Sequence, residues 1–313
     1  MRRLLTTSLI LFAVLAAPAA RAEYPEKRVQ FIVPASPGEL QDVLTRLIAA
    51  QMQADTGITA TVVNRPGAED DPFAAVAEVA RAQPDGYTIG SFVIGVPAVG
   101  ALLGDADIGR DTFEPVGIFL TYPYVLAARS EAPYSNMAEL ARYAKRHRVA
   151  LGHFGYARVS TRAAVMAGLE LGFEFGSEAA FEALDCNTLA AGDADVISTT
   201  LPLIRPCLGK VKVLAVIAER RIAPVPDAAT LAEQVRGVDV TSWNGLFVPK
   251  GTPGGVKRTI AASARKTVTG RSAQDLARES GALVYWQNAD EAEARYDADY
   301  RKIRDMLRRM GDL

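Results

Sequence analysis

The residues that could do chemistry are few, and they suit binding better than bond-making. The chain has two histidines, His147 and His153, and two cysteines, Cys186 and Cys207. That is little from which to build a catalytic zinc site. It has no Gly-x-Ser-x-Gly elbow, no Gly-x-x-x-x-Gly-Lys-Ser/Thr loop and no Gly-x-Gly-x-x-Gly turn, so the usual enzyme signals are missing. What remains lies in short Gly-containing segments. Ser36, Gly38, Glu39 and Asp42 precede or open an apolar-periodic stretch, where Asp42 is placed to cap a helix. Gly67-Ala68-Glu69-Asp70-Asp71 offers hard oxygen ligands, but not in the order of an EF-hand loop. It reads equally as a solvated acidic rim. Gly152 to Thr161 carries His153, Phe154, Tyr156, Arg158, Ser160 and Thr161. There Arg158 can fork a carboxylate, and the aromatics can cover a ring or a cation.

Alternating strands and helices must position these segments. Val29–Val33 reads as a buried strand. Asp42–Ala54 follows with Val43, Leu44, Leu47, Ile48 and Met52 at helical spacing. Thr59–Val63 is a strand ended by the turn Asn64-Arg65-Pro66-Gly67. Phe73–Ala82 is helical, and Thr88–Ile94 is a third strand. This βαβαβ pattern builds a parallel sheet with right-handed crossovers. Phe113–Ala128 is a long apolar run with Pro123 in its middle, read as two successive strands with a crossing between them.

A second alternating region follows: helices at Met137–Arg148, Thr161–Leu171, Ala180–Ala191 and Pro202–Leu208, with strands at Val149–Leu151, Val196–Ser198 and Val211–Ile217. Val238–Val248, with Trp243, is the return crossing. Thr252–Thr269, Ala273–Glu279 and the long amphipathic Ala289–Met310 are helical, and Leu283–Trp286 is a strand. The expected architecture is α/β with two lobes. One comprises residues 23–121 and 242–313, the other residues 122–241. Two crossings make a hinge, and ligands in such sheets bind outside the strand carboxyl ends.

Composition bounds the rest. The 313 residues are 49% hydrophobic and 23% charged, enough chain for about two ordinary domains. Residues 1–22 read as a signal peptide. Arg2 and Arg3 precede an apolar run to Ala17, then Pro18 and Ala20-Arg21-Ala22. Cleavage near Ala22 would send the mature protein to the periplasm. The 35 basic residues do not exceed the 36 acidic ones, and no basic cluster is dense enough to imply nucleic acid. In an oxidising compartment Cys186 and Cys207 are either disulfide-bonded or two buried thiols; their spacing leaves both open.

Taken in order, several motifs resemble the tripartite tricarboxylate transporter receptors, the TctC/Bug family. They are Pro34 with Pro37, Gly38 and Asp42; Val62 to Ala68; Ala80-Arg81-Ala82 with Pro84-Asp85-Gly86-Tyr87-Thr88; and Thr241 to Pro253. The resemblance implies a type II periplasmic-binding-protein fold. It also implies a monomeric receptor, without cofactor or catalysis, that hands a small solute to membrane permease subunits. A ligand sensor for a two-component system and an exported enzyme are the rival classes. In the family, backbone N–H groups of two loops in the first lobe and one in the second hold the ligand's carboxylates. Mapped here, these loops are Ala35–Asp42, Gly67–Asp71 and Gly152–Thr161. Helix N-termini suit such a task, since their first N–H groups lack partners and the helix dipole favours an anion.

The departures from the family shape the expected ligand. Where the family's first loop carries Gly-Gly, this chain has Gly38-Glu39. Where the second reads Gly-Ala-Gly-Gly-Asn, this chain has Gly67-Ala68-Glu69-Asp70-Asp71. Negative charge beside an anion site argues against a plain polycarboxylate and for a zwitterion or an amine, its amino end near Glu39, Glu69 or Asp70 and any carboxylate near Arg158. The expected ligand-binding set is Ser36, Gly38, Glu39, Asp42, Ala68, Glu69, Asp70, His153, Tyr156, Arg158, Ser160 and Thr161.

Overall fold

The computed structural model describes residues 24–66, 73–104, 108–156 and 158–313. The signal segment and three of the expected ligand residues, Ala68, Glu69 and Asp70, lie outside the described residues.

The first strands form as the apolar runs predict. β1 (Val29–Val33) pairs in parallel with β2 (Ala60–Asn64) and with β3 (Thr88–Val93). α1 (Leu40–Thr56) and α2 (Ala74–Ala80) make the crossovers. α1 buries Leu44, Ile48 and Met52 and stops at Gly57, which is left-handed (φ 74°) as a helix-ending glycine permits. Phe113–Ala128 does divide in two. β4 (Phe113–Tyr122) stays in the first sheet, and β5 (Tyr124–Arg129) enters the second, with the switch at Pro123. Proline has no N–H to give a ladder, so an inter-sheet step is a low-cost place for it.

The second sheet adds β6 (Ala150–His153), β7 (Ser177–Ala180), β8 (Val196–Thr200) and β9 (Val211–Ile217), in the order β7-β6-β8-β5-β9. The chain then returns through β10 (Ser242–Pro249), antiparallel to both β3 and β4. With β11 (Leu283–Gln287) the first sheet has the order β11-β4-β10-β3-β1-β2. Helices α3 (Gly95–Leu103), α4 (Met137–Ala144), α5 (Val159–Glu170), α6 (Cys186–Ala191), α7 (Leu201–Ile204), α8 (Leu231–Gln234), α9 (Gly254–Val268), α10 (Arg271–Ser280) and α11 (Ala289–Met310) complete the described elements.

Several details differ from the sequence expectations: α4 ends at Ala144, α8 is not among the expected helices, and β10 begins only at Ser242. The helix expected over Ala180–Ala191 begins only at Cys186. Asp185 caps it by accepting from the Asn187 N–H, and Ser177–Ala180 instead pairs along the edge of β6. Pro206 stops α7 from running on, and Arg205–Lys210 tightens into a 3-10 turn. The sequence pattern does not reveal α3, because Gly95–Leu103 is apolar on all sides and carries no 3.6-residue stripe.

Cys186 and Cys207 form a disulfide, with Cα atoms 6.0 Å apart, that ties α6 to this 3-10 turn.

One continuous apolar core links the two sheets. It includes Phe92, Leu126, Trp243, Phe247, Tyr296 and Leu307. Trp243, fully buried in β10, donates its indole N–H to Asp299 on α11 (2.7 Å), and Phe247 stacks on it. α11 is capped by Asn288 and Glu291 in a reciprocal box. Its far end reaches α5 of the second sheet through Arg309–Glu170 and Arg162–Asp312. Among the described residues no helix is long and apolar enough to cross a membrane.

Candidate functional site

The loop between β1 and α1 is held from below by one buried carboxylate. Asp42, 1% exposed, accepts from the Gly38 N–H (2.9 Å), from Arg46 Nε (3.0 Å) and from Asn64 Nδ2 (2.8 Å). Burial alone would raise its pKa. The hydrogen bonds from Arg46, Gly38 and Asn64 outweigh that, and the net shift is downward. Asn64 also donates to the Ala35 carbonyl (2.9 Å). Two separate sequence motifs, Pro34–Asp42 and Asn64–Gly67, thus meet in one network. Gly38 sits at φ 90°, where a side chain would be strained. Asp42 fills its acceptor sites with protein donors, so its geometry is that of a residue that positions the loop.

Glu39 does something different. It is exposed and stands at the N-cap of α1, but its side chain does not cap the helix. Instead Oε1 turns back to accept the Ser36 N–H (2.9 Å).

The facing wall comes from the loop between β6 and α5. Arg158, half-buried, is the N-cap residue of α5, and Ser160 and Thr161 are buried in its first turn. His153 ends β6, 3% exposed. Its Nδ1 accepts the Gly155 N–H (3.0 Å), and Nε2 lies 3.9 Å from Glu178. Burial lowers its pKa, opposed by Glu178, so it is neutral near pH 7 and serves as a loop brace. Tyr156 is exposed, packs edge-on against His153 and bonds Glu178 through its hydroxyl. Its carbonyl accepts from Arg162 Nε (2.7 Å), which ties the loop to α5.

Two tyrosines outside the expected set join these walls. Tyr122 and Tyr124 flank Pro123 at the crossing, with ring centroids 6.1 Å apart. Burial raises both phenol pKa values, so both remain O–H groups at physiological pH. The charges of Glu39 and Arg158 reach both phenols, the first raising and the second lowering their pKa. The Gln41 backbone faces the Tyr122 hydroxyl, and the Ser160 side chain faces that of Tyr124. The registers agree: the carboxyl ends of β1 and β4 lie at one end of the first sheet, and the start of β5 and the carboxyl end of β6 at one end of the second, so both loops open at this crossing. The sequence signal of the two tyrosines is the Tyr-Pro-Tyr at the crossing, which pattern alone does not separate from hinge packing.

Further polar atoms lack protein partners among the described residues. They are Thr161 Oγ1, Ser198 Oγ in the middle of β8, both side-chain amide atoms of Asn244 and, away from this crossing, Gln287 Oε1 at the end of β11 and the Tyr296 hydroxyl on α11. Asn244 lies on β10 opposite Val93, the last residue of β3, and Leu120 of β4. Burying such groups unpaired is costly, so they suit a bound polar solute or ordered water.

Two mixed sheets exchange the chain at Pro123 and at β10, and polar groups gather at the strand carboxyl ends. That fold and that site define a solute-binding receptor of the two-lobed periplasmic class.

Known proteins of similar sequence and shape agree. The profile of TctC, the tripartite tricarboxylate transporter family receptor, matches residues 44–311. A UPF0065 protein of Bordetella pertussis is 28% identical over 322 aligned positions, spanning 100% of this chain and 95% of the relative. The periplasmic binding protein BugD superposes with a TM-score of 0.76 at 28% identity, over 92% of this chain and 99% of that one. MatC from Rhodopseudomonas palustris with bound malate gives a TM-score of 0.77 at 26% identity, over 91% of this chain and 100% of that one. The chain belongs to the tripartite tricarboxylate transporter receptor family.

Proposed function

We propose that this chain is an exported periplasmic receptor that captures a small carboxylate-bearing solute between two lobes and delivers it to membrane permease subunits without transforming it. The lobes are residues 23–121 with 242–313, and residues 122–241. Closure turns on Pro123 and on the approach to β10. The observation that carries this reading is that the β1–α1 loop of the first sheet and the β6–α5 loop of the second both open at the Tyr122-Pro123-Tyr124 crossing. Arg158 and Ser160 come from the second sheet, and Glu39 and Gln41 come from the first. A solute there touches both halves, and so can favour the closed form by its differential contacts. The malate held by MatC supports a carboxylate as the anionic group. In this chain Arg158 is the charged donor for it, with the Tyr122 and Tyr124 hydroxyls and Ser160 beside it. Asp42, Gly38 and His153 shape the loops. Ala68, Glu69 and Asp70, outside the described residues, stay in the proposed ligand-binding set.

Mass spectrometry of solute carried through purification tests this directly, followed by thermal-shift screening of carboxylates. A bound solute should raise the melting temperature by mass action. Arg158→Gln should shrink the shift, through binding weakened about 10- to 100-fold, with the fold intact. A wild-type protein that binds no small carboxylate, or binds equally well without Arg158, would remove this reading.

A further inference from the structure

We infer that Glu39 is the specificity-determining residue of the site, and that it selects a solute bearing an ammonium at the end opposite its carboxylate. This rests on the receptor reading above and names the ligand class it leaves open.

The β1–α1 loop has few donors left to offer a ligand. An anion would need free backbone donors on that loop. Two of these are already taken by carboxylates of the chain itself: Ser36 N–H by Glu39 and Gly38 N–H by Asp42. The Gln41 backbone faces the Tyr122 hydroxyl. This wall therefore shows a solute an exposed carboxylate. Oε1 of Glu39 is engaged by Ser36, and Oε2 carries no protein donor among the described residues. The opposite wall shows the guanidinium of Arg158 and the unpartnered hydroxyl of Thr161.

The two charges have not cancelled each other. No ion pair joins Glu39 to Arg158 among the described residues; Asp42 and Arg162 carry the ion pairs next to them in the chain. Yet the strand registers bring both loops to one crossing: the carboxyl ends of β1 and β4 share one end of the first sheet, and the start of β5 and the carboxyl end of β6 share one end of the second. The site is a dipole with its negative pole on the first sheet and its positive pole on the second. A zwitterion with separated ends complements that dipole. A dicarboxylate meets like charge at one pole, and a diamine meets it at the other. Closing the lobes lowers the local dielectric and strengthens both the attraction and the repulsion.

The test uses sets of probes that differ only at one end. Glutarate, 4-aminobutyrate and butyrate form one set; succinate, β-alanine and propionate form the next. Titration calorimetry is run on the wild type, Glu39→Gln and Arg158→Gln. Glutamine keeps an oxygen to accept the Ser36 N–H, so the loop retains its bond while the charge is lost.

An ammonium and a carboxylate about 5 Å from Glu39 should differ in affinity by about tenfold or more, even at a water-like dielectric. The amino acid of at least one set should therefore bind the wild type about tenfold or more tighter than its dicarboxylate. In Glu39→Gln that ratio should fall to within about threefold. Equal binding of the matched pair to the wild type, or an unchanged ratio in Glu39→Gln, overturns this inference. If Arg158→Gln still weakens binding of the probes about tenfold or more in that case, the receptor reading stands. Failure of every probe in both sets to bind overturns both together.

Discussion

Replacing Asp42 by Asn should unfasten the β1–α1 loop at a cost that can be worked out from its contacts. The carboxylate accepts three donors at 2.8–3.0 Å and is 1% exposed. An asparagine in its place has one acceptor oxygen, and its own N–H₂ group must face one or two of those donors. A hydrogen bond to a charged group contributes about 1.5–3 kcal/mol, and an unsatisfied buried donor costs about as much again in desolvation. Against this, Arg46 is half exposed, so its ion-pair share is worth under about 1 kcal/mol. The balance is a loss of about 3 kcal/mol, or a fall in Tm of about 5 °C for a chain of this size. The pH dependence has a definite sign. The folded pKa of Asp42 is lowered, so its stabilisation is present above the unfolded pKa near 4 and is lost as pH falls through the folded value. The wild-type advantage over Asp42→Asn should hold from pH 7 to about pH 4 and shrink below that. Urea denaturation at several pH values measures it. A difference under about 0.5 kcal/mol at pH 7, or one that grows as pH falls below 4, would refute the account of this network.

Asp299 should behave oppositely. Burial raises its pKa despite the Trp243 bond, so ionising it costs stability at neutral pH. Asp299→Asn, which can still accept the indole N–H, should cost less than about 1 kcal/mol at pH 7, as chemical denaturation would show. Arg158→Gln should weaken binding of a carboxylate probe by about 10- to 100-fold while leaving the urea midpoint within error, because the lost donor is charge-assisted and exposed to the site. Reducing Cys186–Cys207, which closes a loop of separation 21, should lower unfolding stability by about 3 kcal/mol in the chain-entropy treatment, measured by denaturation with and without reductant.

Much of the architecture is legible in the sequence because it is set by local pattern. The apolar run over Phe113–Ala128 is too long for one strand, and Pro123 marks where it changes sheet. Trp243 is readable as core packing at the return crossing; its bond to Asp299, 56 residues on, is not. At the site, the loops can be named from motif order, but roles within them cannot. Asp42 and Glu39 are three residues apart and chemically alike. One is buried beneath three donors and the other exposed with one. That distinction depends on where Arg46 and Asn64 fold back, which no spacing rule encodes. Tyr122 and Tyr124 stay ambiguous in the sequence because strand alternation does not say which groups face them across the crossing.

The C-terminal helix bears on how closure can occur without breaking the fold. α11 buries Tyr296, Ile303 and Leu307 in the core shared by both sheets, while its last turn meets α5 through Arg309–Glu170 and Arg162–Asp312. Arg309–Glu170 is partly exposed and contributes about 1 kcal/mol or less, but Arg162 is 6% exposed, so parting it from Asp312 costs about 3 kcal/mol or more. The proposed hinge motion therefore keeps the apolar face seated, and exchange of the Arg162–Asp312 pair is its costly step. Arg162 gives that exchange a route to the ligand, because its Nε holds the Tyr156 carbonyl in the loop that also carries Arg158. Movement of the helix end and placement of the guanidinium are thus mechanically linked. The proposed site depends on the same part of α5 that the helix end clasps, so binding and lobe position are two readings of one contact set.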